Sequence, residues 1–201
     1  LLFADEGASV VVADINAEAA RGTANAISDK GGRAAHVSGD VSEPESASAM
    51  VEAAIAAFGR IDVLFNNAGI GHVGTLHETE IEAWDRVMGV HLRGTFLMSK
   101  YTIPHMLEQK GGVIINMSST IAHIGLEKRA AYAAAKGGIL SLTRCMAVDY
   151  ARHNIRVNAL CPGTIYTPFV ETYLKRSYSD PEKALEGIRS RQLTGELGTP
   201  Q

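Results

Sequence analysis

Short runs of β-branched and apolar residues alternate along the chain with longer stretches whose apolar positions recur every three or four residues. Runs that are apolar throughout, rather than at every second position, suit strands covered on both faces, and the helical stretches between them suit the crossovers of a parallel sheet. The pattern predicts strands over 9–13 (SVVVA), 33–38 (RAAHVS), 61–66 (IDVLFN), 112–118 (GVIINMS) and 155–160 (IRVNAL). Helices are predicted over about 16–30, 44–58, 79–110 and 129–153, opened by Asp14 or Asn16, Ser42, Thr79 and Glu127 and closed near Gly31, Gly59 and Gly111. Beyond Pro162 the chain turns polar and rich in turn residues with no clear strand, so 164–194 is expected to run over the sheet edge as a substrate-binding excursion.

Composition narrows the function classes. A length of 201 residues fits one domain, and 46% apolar with 20% charged residues is ordinary for a globular protein. A formal charge of −3 offers no basic footprint for nucleic acid or an anionic membrane, which leaves small molecules as the expected partners. Cys145 and Cys161 lie in no metal-ligand spacing and read as reduced core residues. No apolar run approaches the ~18 residues that cross a bilayer and no basic-then-apolar leader opens the chain, so a cytoplasmic address is expected. The chain starts at Leu1 in what reads as the last turn of a helix and stops just after a turn signal, like a fragment cut at both ends.

In open parallel sheets ligands bind beyond the carboxyl ends of the strands, which makes the residues there the candidates. Asp14 ends the first run and can either accept both hydroxyls of an adenosine ribose or cap the next helix. Asp40 after the second run can face an adenine amino group or merely cap. The third run ends in NNAG (66–69), where asparagines can bridge neighbouring strand ends and Gly69 allows close backbone approach to a ligand. The fourth and fifth end in MSST (117–120) and CPGTIYT (161–167).

Tyr132 and Lys136 stand four apart in a run of alanines, hence on one helical face. A neighbouring ammonium favours phenolate and draws a tyrosine toward the range of a general acid/base, although a plain surface pair has the same spacing. Together with Ser119, thirteen positions before the tyrosine, and with NNAG and PGTIYT, the pair appears in an order and spacing that resembles the ordinary short-chain dehydrogenase/reductases over essentially the whole chain.

That resemblance implies a Rossmann-type doubly wound parallel sheet and an NAD(P)-dependent enzyme acting on CH–OH groups without a metal. By resemblance, Tyr132 is the acid/base, Ser119 orients the substrate oxygen, and Lys136 tunes the tyrosine and binds the nicotinamide ribose. Asp14 with Ile15 resembles the mark for NAD over NADP, and Asp40 with Val41 the adenine contact. Asn67, Ala68 and Gly69 would line the cofactor, with Pro162, Gly163, Ile165 and Thr167 around the nicotinamide carboxamide. Where the family carries an asparagine, this chain reads VHLRGTF (90–96), with His91 in its place. The imidazole can hold the relay water, disturb the helix, or be a satisfied core residue.

Polar secondary alcohols (sugars, sugar acids or hydroxy acids) are the expected substrates, with a 3-oxoacyl-thioester reductase or a non-catalytic cofactor-binding relative as alternatives. Substrate choice is expected in 120–130 and 164–194, where Arg189 and Arg191 either grip a carboxylate or are solvated. The resemblance also implies a homodimer or homotetramer, and places a first strand with its glycine-rich turn before Leu1 and a last strand after Gln201. These 201 residues alone are accordingly expected to be unstable and to bind cofactor poorly; a cooperative thermal melt with micromolar NAD affinity would overturn that.

Overall fold

In the computed structural model, which describes residues 1–200 without the side chain of Phe169, all five predicted strands form and pair in parallel. Strand β1 (Val10–Asp14) pairs with β2 (Ala34–Ser38), while β3 (Val63–Asn66), β4 (Gly112–Met117) and β5 (Ile155–Leu160) form a second ladder in that order. Flanking them are α1 (Leu2–Asp5), α2 (Ala17–Ser28), α3 (Pro44–Phe58), α4 (Ile81–Met88), α5 (Gly94–Glu108), α6 (Ala130–Tyr150), α7 (Pro168–Ser177) and α8 (Pro181–Arg189). Parallel strands with helical crossovers are the Rossmann-type α/β arrangement expected from the sequence. The segment after Pro162 is helical, α7 and α8, with one isolated bridge between Ile165 and Gly198. Among the described residues no helix is long and apolar enough to cross a membrane.

The main core lies between β4, β5 and the helices α5 and α6, built from Ile103, Met106, Ile114, Met146, Ile155 and Val157. Each such side chain contributes about 1.5–3 kcal/mol when fully buried. Gly112 leaves room for the core here, since a Cβ would sit 2.5 Å from the Met106 sulfur and force that side chain to shift. A polar seam runs beside the apolar one. Asn66 Nδ2 donates to Asn116 Oδ1 (2.8 Å) and Ser99 Oγ (3.2 Å), and Asn116 Nδ2 donates to Thr143 Oγ1 (2.9 Å). The expected asparagine bridge between strand ends therefore exists at Asn66, and it extends into α5 and α6.

The predicted helix starts hold only in part. Asn16 caps α2 by accepting from the amides of Glu18 and Ala19, and Asp14 Oδ1 in turn accepts from the Asn16 amide. Ser42 caps nothing: its amide and hydroxyl donate to Asp40 Oδ1, and α3 starts two residues later at Pro44, whose fixed φ suits a first helical position. Thr79 spends its hydroxyl on Thr75 O, and α6 starts after Arg129 rather than at Glu127. Cys145 is exposed, off the stripe of Ala135, Ile139, Thr143 and Met146 that buries α6, so the core reading fails for it; Cys161 is half-buried.

Helices α4 and α5 are one continuous rod, as the span 79–110 anticipated, interrupted by a π-helical turn over Gly89–Arg93. Loops leaving β2 and β3 both reach this turn region. Val41 packs on Gly94, where a Cβ would lie 2.7 Å from its methyl, and Gly69 packs on His91. Replacing Asn116, which is fully buried, with alanine removes the acceptor of Asn66 Nδ2 and the donor to Thr143 Oγ1; a loss of about 2–3 kcal/mol is expected in urea unfolding, against under ~0.5 kcal/mol for the exposed Ser190→Ala.

Candidate active site

The first turns of α6 are fastened to the carboxyl end of β4. Lys136, only 3% exposed, donates from Nζ to Met117 O at 2.6 Å, and Ser118 Oγ donates to Lys136 O at 2.9 Å. Of the two adjacent serines, Ser118 is thus spent on α6. Ser119 remains half-buried in extended backbone at the strand end, its Oγ accepting from the Ile121 amide at 3.3 Å to open a short 3₁₀ turn.

Tyr132 lies beside this lysine as the four-residue spacing requires, with Nζ 5.5 Å from the ring centroid. The ammonium faces the ring and the Met117 carbonyl. Burial holds the Tyr132 hydroxyl above its ordinary range, and the nearby Arg129 charge works against that shift. In this geometry burial is the larger influence on the phenol, and the opposing charge comes from Arg129. Lys136 is itself pulled down to about 8 by burial, close enough to neutrality to exchange a proton.

His91 completes the cluster. The π-helical turn directs its side chain inward, 2% exposed, edge-on to Tyr132 with ring centroids 5.3 Å apart and planes at 90°. Nε2 lies 2.7 Å from Ile70 O and 3.1 Å from Ile70 N. Two acceptors at 2.7 Å would repel, so we assign the proton to Nε2, donating to the carbonyl. That leaves Nδ1 as a buried acceptor with no partner among the described residues. Burial first, then the Lys136 charge, lowers the His91 pKa to about 4, opposed by the bond to Ile70, so the imidazole is neutral at physiological pH. Gly69 also serves this cluster. A Cβ there would lie 2.6 Å from His91 Cε1, so the glycine makes room for the imidazole.

The remaining predicted positions lie at strand ends. Asp14 and Ile15 are exposed at the end of β1, and the Gly39 amide donates to Asp14 O at 3.1 Å, bringing the Asp40–Val41 loop alongside. Asn67, Ala68 and Gly69 form the exposed exit from β3. Pro162 O accepts from the Thr120 amide at 3.1 Å, tying the loop after β5 to the Ser119 loop. Gly163 is exposed, Ile165 is half-buried in its bridge with Gly198, and Thr167 caps α7 through the Val170 amide. Arg189 and Arg191 are exposed, and neither is in an ion pair among the described residues. Sequence reasoning missed the meeting of Arg129 with Tyr173 and Tyr178; its only advance signal is that Arg129 stands three residues before Tyr132.

A half-buried tyrosine and a buried lysine share one helical face at the carboxyl edge of a Rossmann-type fold, an arrangement suited to an oxidoreductase acting on CH–OH groups. The chain belongs to the short chain dehydrogenase family, whose model matches residues 1–177. It is 41% identical over 198 residues to an uncharacterized oxidoreductase of Thermotoga maritima, covering 98% of this chain and 78% of that one. It is also 42% identical to the cyclohexanol dehydrogenase of Acinetobacter sp. (86% of this chain, 69% of the relative). With the cis-4-hydroxycyclohexanecarboxylate dehydrogenase of Sinomonas cyclohexanicum it shares 39% identity over 201 residues, 100% of this chain and 78% of the relative. Dehydrogenases of this family use NAD(P).

Because the folded His91 pKa of about 4 lies below its ordinary 6.5, the unfolded chain binds a proton that the folded one refuses between those values. Stability contributed by neutral His91 is complete above pH 6.5 and falls as pH drops toward 4. Urea midpoints taken from pH 7 to pH 4.5 should decline more steeply in the parent than in His91→Asn, the two differing by up to about 3 kcal/mol at the acid end; parallel declines would refute the assignment.

Proposed function

We propose that the protein is an NAD-dependent dehydrogenase that transfers a hydride between the nicotinamide and a polar secondary alcohol or its ketone. The observation carrying this reading is the buried cluster in which Lys136 is fixed to Met117 O beneath Tyr132 while neutral His91 abuts the same ring. Tyr132 exchanges the proton of the substrate oxygen through its hydroxyl, and Ser119 orients that oxygen from the strand end. Lys136, titrating near 8, exchanges the proton onward from the buried face of the ring. His91 Nδ1, the unpaired buried acceptor, receives a hydrogen bond from the water on that path, the position the family gives to asparagine.

The strand-end residues suit a dinucleotide. The carboxylate of Asp14 stands exposed at the end of β1 with its Oδ1 already bonded to the Asn16 amide, and the 72% exposed Ile15 offers an apolar surface beside it. Asp14 would hold the adenosine ribose hydroxyls and repel a 2′-phosphate, which is the basis for NAD over NADP and weighs against an NADPH-dependent thioester reductase. Ile15, Asp40 and Val41 would flank the adenine. Asn67, Ala68 and Gly69 would lie along the cofactor and Lys136 would hold the nicotinamide ribose, with Pro162, Gly163, Ile165 and Thr167 around the carboxamide. Bound there, the nicotinamide supplies the hydride acceptor or donor. Exposed Phe96 (47%) on α5 and Val148 (79%) on α6 support pairing of these helices with a second copy in a homodimer or homotetramer.

Full-length protein assayed with polyols, hydroxy acids and cyclic secondary alcohols should form NADH, and Tyr132→Phe should reduce the rate about 10²–10⁴-fold. Asp14→Ala should erode the NAD preference by about tenfold or more, as seen in the ratio of kcat/KM for the two cofactors. Retained turnover in Tyr132→Phe, or a native preference for NADP, would overturn the corresponding part.

A further inference from the structure

The half-buried guanidinium of Arg129 is held from three sides. Nη1 donates to His72 O at 2.8 Å, Nη2 donates to Tyr178 Oη at 3.0 Å, and Cζ lies 5.1 Å from the Tyr173 ring centroid. Tyr173 packs in turn on the loop after β3, where a Cβ on Gly71 would come within 2.5 Å of the ring. One cation therefore joins α7, that loop and the start of α6.

Every one of these partners is formally neutral. Among the described residues the ion pairs are Arg21 with Glu18, Arg60 with Asp62, His105 with Glu52 and Lys175 with Glu171, and none involves Arg129. Burial lowers the Arg129 pKa, Tyr178 opposes that shift, and the charge of Arg191 adds to the lowering. A clamp between neutral partners has no need of a charge, and a partly desolvated cation without a counter-charge is costly until an anion arrives. The guanidinium has five N–H groups, of which the two bonds above use two, so the fork keeps donors for a bidentate oxyanion. Arg129 also borders a cleft of about 370 Å³ whose walls include Leu76, Leu126, Ala130 and Ala133, suited to an apolar body carrying the charge.

We propose that Arg129, backed by Arg191, binds a carboxylate on the substrate, so that the alcohol handled at Tyr132 is a hydroxy acid with an apolar frame rather than a neutral alcohol. The inference rests on the dehydrogenase reading, because it takes Tyr132, one helical turn along, as the reacting end. It moves the anion contact from Arg189 to Arg129 and keeps Arg191 as support.

Calorimetric titration of the full-length protein with cyclohexanecarboxylate and with cyclohexanecarboxamide separates the carboxylate contact from turnover. The acid should bind on the order of 10- to 100-fold tighter than the amide, Arg129→Gln should bring the ratio near one, and Arg129→Lys should restore part of it. Should Arg129→Gln fail to fold, the same ratio should fall in Arg191→Gln and Arg129→Lys. Equal affinities in the parent, no binding of the acid, or a Gln variant that weakens both ligands alike, as a purely structural clamp would, overturns the proposal. Oxidation of cyclohexanol and of 4-hydroxycyclohexanecarboxylate, followed as NADH, is read separately. Acid-selective binding without turnover sinks only the dehydrogenase reading, and turnover without acid selectivity sinks only this one.

Discussion

A single buried bond sets the geometry of the site: the Lys136 ammonium on the carbonyl of Met117. Burying a lysine disfavours its charge, and the fall of its pKa to about 8 measures that penalty. The carbonyl at the end of β4 offsets part of the penalty and fixes the rotation of α6. With Ser118 bonded to the lysine carbonyl, the helix is held at its second turn from both its side chain and its backbone. The Tyr132 ring is thereby held beside the strand end, and the position of Arg129 one turn earlier follows from the same rotation.

The opposite side of Tyr132 depends on the π-helical turn over Gly89–Arg93. An extra residue in the turn changes the direction of the side chains it carries, and here it sends His91 into the interior. Room for that ring exists because position 69 has no side chain, and its state is set because the Ile70 carbonyl fixes the Nε2 proton. A neutral histidine is the form compatible with an ammonium in the same low-dielectric surroundings. The departure from asparagine is thus accommodated by three neighbours, Gly69, Ile70 and Lys136, rather than by the helix alone.

Much of the fold was legible in the chain because strands buried on both faces are written as local apolar runs, and all five fell within about two residues of their predicted bounds. The Tyr132 and Lys136 pairing was equally legible, since helical spacing alone places both on one face. Helix starts were read less well. Ser42 and Thr79 are good capping residues in isolation, yet Asp40 and the Thr75 carbonyl compete for their hydroxyls. The seam through Asn66, Asn116 and Thr143 could be suspected only at its first member, because its partners are 50 and 27 residues apart along the chain.

By itself, then, the sequence determined the order of strands and helices, the strand-end location of the candidate residues and the spacing of the tyrosine and lysine, all of which depend on neighbours a few residues away. Only the tertiary structure decided which way the ammonium points, which charge reaches the phenol, and that Arg129 meets Tyr173 of α7 and Tyr178 just after it, with no ion pair to a carboxylate among the described residues. Those outcomes turn on burial and on groups distant in sequence, and desolvation acts on a group only once other elements have closed around it.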